Sequence, residues 1–274
     1  MPLFSIITIN YNNSEGLQRT IESVISQSFK DYEFIVIDGK STDNSVLVLE
    51  KFKPYFTFCV SEKDKGIYDA QNKGIQKATG NYLIFMNSGD CFSENDILQK
   101  TALFINENKH YKIYYGNVNL LEKNGIETTH YPPPNLDIDY LYFNSLNHQS
   151  CFIDKKLFEK YGDYNLNYKI CADYDFFLKI LVKENNAYCY FNETICKYEN
   201  FGLSKNSSVF DDLVNERKLI KVSLLSAKKL SDLKLIEINL AGRKSRAFNY
   251  VPNINIIKNL YDKLYVYWYH WRVS

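Results

Sequence analysis

The sequence predicts an α/β fold in which a mainly parallel central sheet is flanked by helices. Two observations lead to this prediction. Short runs of β-branched and aromatic residues alternate with amphipathic segments of roughly ten residues through the first part of the chain. Several of these runs are apolar at consecutive positions, as expected of strands that are covered on both faces. Helical connections between such strands form βαβ units, and these units build a parallel sheet.

The amino-terminal elements follow one another as strand and helix. Strands are predicted at residues 4–9, 33–37, 56–60 and 82–86, and helices at 14–29, 44–52 and 69–79. Ser14 is expected to cap the first helix, and Gly80 to close the third. Three strands end in turn-forming polar residues, at 10–13, 38–43 and 87–90. Since ligands collect at the carboxyl ends of strands in open α/β sheets, these segments predict a binding rim.

The pattern changes after Asp90. A helix is predicted at residues 98–104, and two separate strands at 111–115 and 118–121, divided at Gly116 and Asn117. Three prolines at 132–134 cannot join a ladder and predict an extended connection. This half is expected to extend the same sheet. Past residue 206, the spacing of Leu, Ile and Lys predicts helices over 209–240.

Four motifs resemble, in order, the amino half of family 2 glycosyltransferases. They are TINYN at 8–12, IDGKSTD at 37–43, SEKDKGIYDAQNKG at 61–74 and NSGD at 87–90. The third motif is similar to a branch found in bacterial capsule, O-antigen and exopolysaccharide assembly. The resemblance covers residues 4–205 and implies the GT-A fold, a Rossmann-like sheet flanked by helices. It divides the chain into a GT-A domain at 1–205 and a helical carboxy-terminal extension at 206–274. Within the domain, 1–90 form the nucleotide-binding half and 91–205 the acceptor half.

The resemblance also implies a donor-binding site on the predicted rim. Its members are Thr8, Asn10, Tyr11, Asp38, Asp64, Asn72, Ser88 and His148. Thr8 and Tyr11 match positions where the family packs and hydrogen-bonds a uracil ring, and the Asp38 carboxylate suits an N–H of that ring. The alternative for Asp38 is a cap of the next helix. For Asn72 and His148, structural roles are equally open.

A metal ion and a catalytic base are implied by two carboxylates. Asp90 matches the last Asp of the family's metal motif, where Mn²⁺ or Mg²⁺ bridges the donor phosphates. Ser88 and Gly89 stand where the family commonly has a second carboxylate, so the ion is expected to bind weakly without donor. Asp173 matches the base that takes the acceptor hydroxyl's proton, a task that suits a carboxylate without a competing ion pair. Asp175, on the opening turn of the helix predicted from residues 171–180, is expected to stabilise that helix.

The implied activity is inverting, metal-dependent transfer of a hexosyl or N-acetylhexosaminyl group. The expected donor is a UDP-sugar, and the expected acceptor is a polyprenyl-diphosphate-linked saccharide in cell-surface polysaccharide biosynthesis. Two alternatives stay open. A binding-only relative explains the reduced metal motif. A sugar nucleotidyltransferase is a weaker alternative, because the first loop lacks a Gly-rich, basic triphosphate-binding sequence.

Composition limits the partners and the compartment. The 274-residue chain carries a net charge of +1, so no nucleic-acid partner is expected. Six cysteines without a CxxC pair indicate reduced thiols in a cytoplasmic protein. No signal peptide or membrane-spanning segment is expected. Aromatic residues at helical spacing over 257–271 suggest a helix on the inner face of the cytoplasmic membrane. Packing on its own domain or on a second subunit of a homodimer is the alternative.

Overall fold

The amino-terminal half of the sheet consists of parallel strands joined by helices. A computed structural model describes residues 1–122, 125–199 and 210–248. In chain order the first elements are β1 (Phe4–Asn10), α1 (Ser14–Ile25), β2 (Tyr32–Asp38), α2 (Ser45–Phe52), β3 (Phe58–Ser61), α3 (Ile67–Lys77) and β4 (Tyr82–Phe85). β1 pairs in parallel with β2 and β4, and β2 pairs in parallel with β3. The alternation of apolar runs and amphipathic segments therefore produces the βαβ architecture that the sequence predicts.

The second half continues the same sheet through antiparallel pairing. Its elements are β5 (Cys91–Phe92), α4 (Ile97–Glu107), β6 (Ile113–Leu121), β7 (Glu127–His130), α5 (Ile138–Phe143), β8 (Cys151–Asp154), α6 (Lys155–Tyr161), α7 (Ala172–Lys183), β9 (Tyr188–Glu199), α8 (Phe210–Leu224) and α9 (Ala227–Phe248). β8 joins β4 to β6 in antiparallel fashion. Over the described residues the strand order is β3-β2-β1-β4-β8-β6-β9-β5, with β7 paired to β6.

Both faces of β1 are covered, which explains its uninterrupted apolar run. On one face, Ile6 lies in the buried cluster that includes Leu17 and Ile21 of α1. On the other face, Gly74 of α3 lies so close to Ile7 that a Cβ there would be 2.4 Å from Ile7 Cγ2. α3 can approach the sheet closely because this position lacks a side chain. Burial on both sides matches the pattern expected of a central parallel strand.

Three details of the sequence prediction are wrong. Gly80 does not close α3, because that helix ends at Lys77 with Ala78 as its C-cap residue. The strands predicted at 111–115 and 118–121 are one strand, β6, with a register shift against β9 between Tyr115 and Asn117. Gly116 lies against β9, where a Cβ would be 2.7 Å from the Glu193 carbonyl oxygen. The glycine therefore permits close contact and does not end the strand. The cap of α1 is Asn13, not Ser14, because Asn13 Oδ1 accepts a hydrogen bond from Gly16 N.

The chain divides into two compact units, Met1–Leu224 and Leu225–Ser274. α8 belongs to the first unit and α9 to the second. The boundary predicted at 205/206 and the aromatic segment over 257–271 lie outside the described residues. Among the helices that the structure describes, none is long and apolar enough to cross a membrane.

Candidate active site

The predicted rim forms where β1, β2 and β4 end side by side. Asn10 and Asp38, the last residues of β1 and β2, are register partners. Asn10 Nδ2 donates to Asp38 Oδ1 over 2.7 Å, and Ser88 Oγ donates to Asn10 Oδ1 over 2.7 Å. Asn10 therefore ties the loops after β2 and β4 together. Three residues predicted from separate motifs form one hydrogen-bonded group.

Asp38 is a fully buried carboxylate whose partners are all within the protein. It accepts hydrogen bonds from Asn10 Nδ2, from the nitrogen and hydroxyl of Ser41, and from Ser61 Oγ. Burial opposes its ionisation, but the hydrogen bonds from Ser41, Ser61 and Asn10 outweigh burial and lower the pKa of Asp38. An ionised carboxylate has about four acceptor positions. Through these hydrogen bonds Asp38 orders the rim. Its contact with the nucleotide base of a donor stays a prediction.

An exposed ring and a second carboxylate face each other across Gly39. The Tyr11 side chain is 67% exposed. A Cβ at Gly39 would be 2.6 Å from Asp64 Oδ2 and 3.2 Å from Tyr11 Cδ2. A ring of this kind can stack on a planar base, and a carboxylate can accept from an N–H on its edge. Gly39 thus keeps the space between Tyr11 and Asp64 open.

Two of the residues predicted to contact the donor, Thr8 and Asn72, are buried in the protein. Thr8 is fully buried, and its hydroxyl has no hydrogen-bond partner in the structure. Asn72 donates to the Tyr164 carbonyl over 2.9 Å and accepts from the Tyr164 nitrogen over 3.0 Å. Asn72 therefore attaches α3 to the segment before α7. Roles for Thr8 and Asn72 in donor binding remain predictions.

Asp90 lies in a tight turn on the rim. Its Oδ2 accepts from Asn87 N, and its own nitrogen donates to the Asn87 carbonyl, both over 2.9 Å. Gly89 has a φ of +106°, a conformation that favours glycine. No group of three or more His, Cys, Asp or Glu residues in the described ranges is suited to hold a metal ion. One carboxylate fits Mg²⁺ or Mn²⁺ only where substrate phosphates complete the coordination shell.

Asp173, in the first turn of α7, is surrounded by hydrogen-bond donors. Its Oδ1 accepts from Tyr68 OH and from Tyr174 N, each over 2.8 Å. Its Oδ2 lies 3.1 Å from His148 Nδ1. This contact is a hydrogen bond when the His148 ring is neutral and an ion pair only when the ring is protonated. Burial raises the pKa of Asp173, but the hydrogen bonds from His148, Tyr68 and the Tyr174 amide outweigh burial. The net pKa of Asp173 is lower than that of an ordinary aspartate.

His148 connects Asp173 to the loop that carries Asp90. Its Nε2 lies 3.0 Å from Asn87 Nδ2, and Gln71 Nε2 donates to Asn87 Oδ1 over 3.2 Å. In the neutral ring, Nδ1–H donates to Asp173 and Nε2 accepts from Asn87. Burial lowers the pKa of His148, yet the hydrogen bond and charge of Asp173 outweigh it and raise that pKa. His148 thus lies between the two predicted functional carboxylates.

Sequence reasoning missed Tyr68 and assigned Asp175 correctly as a structural residue. The Tyr68 hydroxyl shares its single proton between Asp173 Oδ1 and the Ile170 carbonyl oxygen. Its only signal in the sequence is its place within the motif at 61–74. Asp175 pairs with Lys179 one turn along α7, over 3.1 Å. The structure therefore separates an acid that faces His148 from one that braces the helix.

The sequence matches the family described as Glycosyl transferase family 2 over residues 5–162. A PGL/p-HBAD biosynthesis glycosyltransferase of Mycobacterium tuberculosis is 31% identical over 212 residues, 76% of this chain and 81% of that protein. An uncharacterized glycosyltransferase of the same species is 31% identical over 255 residues, 90% of this chain and 94% of that protein.

Two solved structures have a similar fold. TarS residues 1–349 of S. aureus, in complex with UDP-GlcNAc, has a TM-score of 0.63 at 18% identity, covering 80% of this chain and 65% of TarS 1–349. The mannosyltransferase PcManGT of Pyrobaculum calidifontis, in complex with GDP-Man and Mn²⁺, has a TM-score of 0.55 at 13% identity, covering 72% of this chain and 56% of PcManGT. This chain spans less than two thirds of either. The likeness confirms the predicted GT-A type of fold.

Proposed function

This chain belongs to glycosyltransferase family 2, and we propose that it moves a sugar with inversion from a UDP-sugar to a lipid-linked saccharide. The observation that carries the proposal is the hydrogen-bonded chain from Asn87 through His148 to Asp173. It joins the loop of Asp90 to the helix of Asp173. Inverting transfer needs a base for the attacking hydroxyl and a group that stabilises the leaving diphosphate, and this hydrogen-bonded chain brings the two candidate carboxylates to one site.

The donor proposal is based on the rim and on structural relatives. Tyr11 is exposed enough to stack on a base, and Asp64 lies beside it across Gly39. The N3–H of uracil is a donor that suits the Asp64 carboxylate. TarS, with the same fold, is known in complex with UDP and with UDP-GlcNAc, which supports a uridine nucleotide and an N-acetylhexosaminyl or hexosyl group.

A divalent cation is part of the proposal. Asp90 would hold Mn²⁺ or Mg²⁺ together with the donor phosphates, and the mannosyltransferase complex with Mn²⁺ supports this choice. When bound, the cation neutralises charge that develops on the leaving diphosphate. Since Asp90 is a single carboxylate, we expect the cation and the donor to bind as one complex.

Asp173 is proposed as the general base. Its Oδ1 already accepts two hydrogen bonds, whereas Oδ2 has His148 as a partner and capacity for one more. The acceptor hydroxyl gives its proton to Oδ2 as its oxygen bonds to the anomeric carbon, and the bond to the diphosphate breaks. His148, with its proton on Nδ1, keeps the carboxylate oriented throughout.

The acceptor and location are the least constrained part of the proposal. The motif at 61–74 supports a role in capsule, O-antigen or related cell-surface polysaccharide assembly, on a polyprenyl-diphosphate-linked acceptor. The aromatic residues over 257–271 support peripheral contact with the inner face of the cytoplasmic membrane, and contact with a second subunit is the alternative.

UDP release tests the proposal directly. A panel of UDP-sugars is incubated with Mn²⁺ or with chelator, with and without a short-chain prenyl-diphosphate-linked N-acetylglucosamine. We expect Mn²⁺-dependent release that Asp90→Ala abolishes. Asp173→Asn should still bind UDP and lose about 10²-fold or more of the rate. Nucleotide binding without UDP release in any condition would instead indicate a binding-only relative. Release of pyrophosphate from a mixture of UTP and a sugar 1-phosphate would indicate a nucleotidyltransferase.

A further inference from the structure

The backbone that leads into α7 is held by a carboxylate from α8. Glu216 Oε1 accepts from Lys169 N over 2.8 Å, and Oε2 accepts from the nitrogens of Ile170 and Cys171, each over 3.0 Å. Three consecutive backbone donors therefore share one acidic side chain. The last of them lies two residues before Asp173. Glu216 also lies beyond residues 5–162, which match the family.

This contact places a carboxylate immediately before the first helical residue of α7. Cys171 is the N-cap residue of α7, and its side chain makes no capping hydrogen bond. The first nitrogens of a helix need acceptors from elsewhere, and a negative charge close to them is favourable. Glu216 supplies both an acceptor and a charge to the segment just before the helix. The position of the first turn of α7, and hence of Asp173, therefore depends on α8.

The same segment is held from its other side by Tyr68. The Tyr68 hydroxyl donates to the Ile170 carbonyl over 2.7 Å and to Asp173 Oδ1 over 2.8 Å. Ile170 is thus fixed through its nitrogen by Glu216 and through its carbonyl by Tyr68. A shift of this residue changes the geometry of the hydroxyl that orients Asp173.

α8 has a second attachment that does not involve this segment. The Arg217 guanidinium lies 4.4 Å from the centre of the Tyr174 ring and donates to the Asn144 carbonyl. Lys221 Nζ lies 4.0 Å from the centre of the Tyr142 ring. Arg217 thus contacts the first turn of α7 itself, whereas Lys221 contacts Tyr142 of α5. Docking of α8 can therefore be weakened at Lys221 separately from the contact of Glu216 with the backbone, which provides a matched control.

We propose that Glu216 is a positioning residue for Asp173, acting through the backbone of residues 169–171. The proposal rests on the proposed function, in which Asp173 is the base. Without the carboxylate, three backbone donors lose their acceptor and Asp173 loses its fixed position. A misplacement of about 1 Å at a reacting group costs on the order of 10²-fold in rate. The donor rim lies on the ends of β1, β2 and β4, so donor affinity is independent of Glu216.

The test compares Glu216→Ala and Glu216→Gln with Lys221→Met and Asp212→Asn in the full chain. Measurements are the kcat and donor KM for UDP release, UDP affinity, the free energy of unfolding, and hydrogen exchange of amides 169–171. We expect kcat to fall on the order of 10²-fold in Glu216→Ala, with unchanged UDP affinity and faster exchange of these amides. Glu216→Gln keeps one acceptor oxygen and should recover part of the rate. Asp212→Asn, which removes an exposed charge of the same helix, should match the parent.

Three outcomes overturn the proposal. The first is a parent-like kcat in both Glu216 variants while Asp173→Asn is inactive. The second is an equal loss of kcat in Lys221→Met at an equal loss of stability, which assigns Glu216 a purely structural role. The third is unchanged exchange of the three amides. If Glu216→Ala does not fold, the near-isosteric Glu216→Gln still decides the question. Absence of UDP release by the parent is a failure of the proposed function, and the amide-exchange result then remains informative on Glu216.

Discussion

The Tyr68 hydroxyl provides the smallest perturbation of the proposed base. Tyr68→Phe removes one oxygen from a side chain that is only 7% exposed and packs edge-on against Tyr164, with ring centres 5.5 Å apart. The ring and its packing are retained, so we expect the variant to fold. What disappears is a donor to Asp173 Oδ1 and to the Ile170 carbonyl.

The magnitude follows from the kind of hydrogen bond that is lost. A hydrogen bond to a charged group contributes about 1.5–3 kcal/mol. If orientation of Asp173 in the transition state depends on it, kcat falls by about 10- to 100-fold. The pH dependence gives a second signature. Because the Tyr68 hydroxyl helps to lower the pKa of Asp173, its removal raises that pKa, and the acid limb of the rate profile moves to higher pH.

The assay is Mn²⁺-dependent UDP release at saturating donor, measured across a range of pH. Tyr32→Phe is the matched control, since the Tyr32 hydroxyl donates to the Val24 carbonyl and Tyr32 begins β2, at the opposite end from the rim. Tyr32→Phe should keep the parent profile. A folded Tyr68→Phe with the parent kcat and the parent pH profile would refute a role for this contact in catalysis.

Two further predictions concern the base-binding side of the rim and the far end of the sheet. Gly39→Ala brings a Cβ to 2.6 Å from Asp64 Oδ2. We therefore expect UDP affinity to fall about 10-fold or more, at a nearly unchanged free energy of unfolding. If titration calorimetry gives the parent affinity, Asp64 does not contact the donor. Glu33 accepts from Ser5 Oγ, from Thr79 and from Gly80 N, and these hydrogen bonds outweigh burial and lower its pKa. The contribution of Glu33 to stability is fully present above the ordinary glutamate pKa of about 4.3. It is lost as the pH falls through the lower pKa that Glu33 has in the folded protein. Glu33→Gln should therefore destabilise the protein by about 1–3 kcal/mol near neutral pH, with a smaller difference from the parent in acid. A urea-unfolding difference that is equal at about pH 7 and about pH 3 argues against this role.

Much of the sheet could be predicted from local sequence, and Gly116 in β6 is an exception. Consecutive apolar residues identified β1, β2 and β4, because burial on both faces leaves no alternation. The same reasoning failed at Gly116, where a glycine was interpreted as the end of a strand. Its reason lies in β9, about eighty residues further along the chain, whose backbone approaches too closely for a side chain. A local pattern does not report the distance to a distant strand.

The site shows the same division. The motifs around Asp38, Asp90 and Asp173 could be identified from the sequence through their resemblance to a family. The partners of these carboxylates could not. Asp173 meets His148, 25 positions before it, and Tyr68, 105 positions before it. Asp38, expected to contact a ligand, accepts hydrogen bonds from Ser41 beside it and from Ser61 and Asn10, which are 23 and 28 positions away.

The sequence by itself determined the order of strands and helices from β1 to β4, the polar strand ends that make the rim, and the family to which the chain belongs. Tertiary structure alone decided which side chains share hydrogen bonds: His148 with Asp173, Asn72 with Tyr164, and Glu216 with the backbone before α7. The physical reason is that secondary structure follows a periodicity over neighbouring residues. The partner of a buried polar group is instead set by long-range packing, since each such group must find an acceptor or donor wherever the fold provides one.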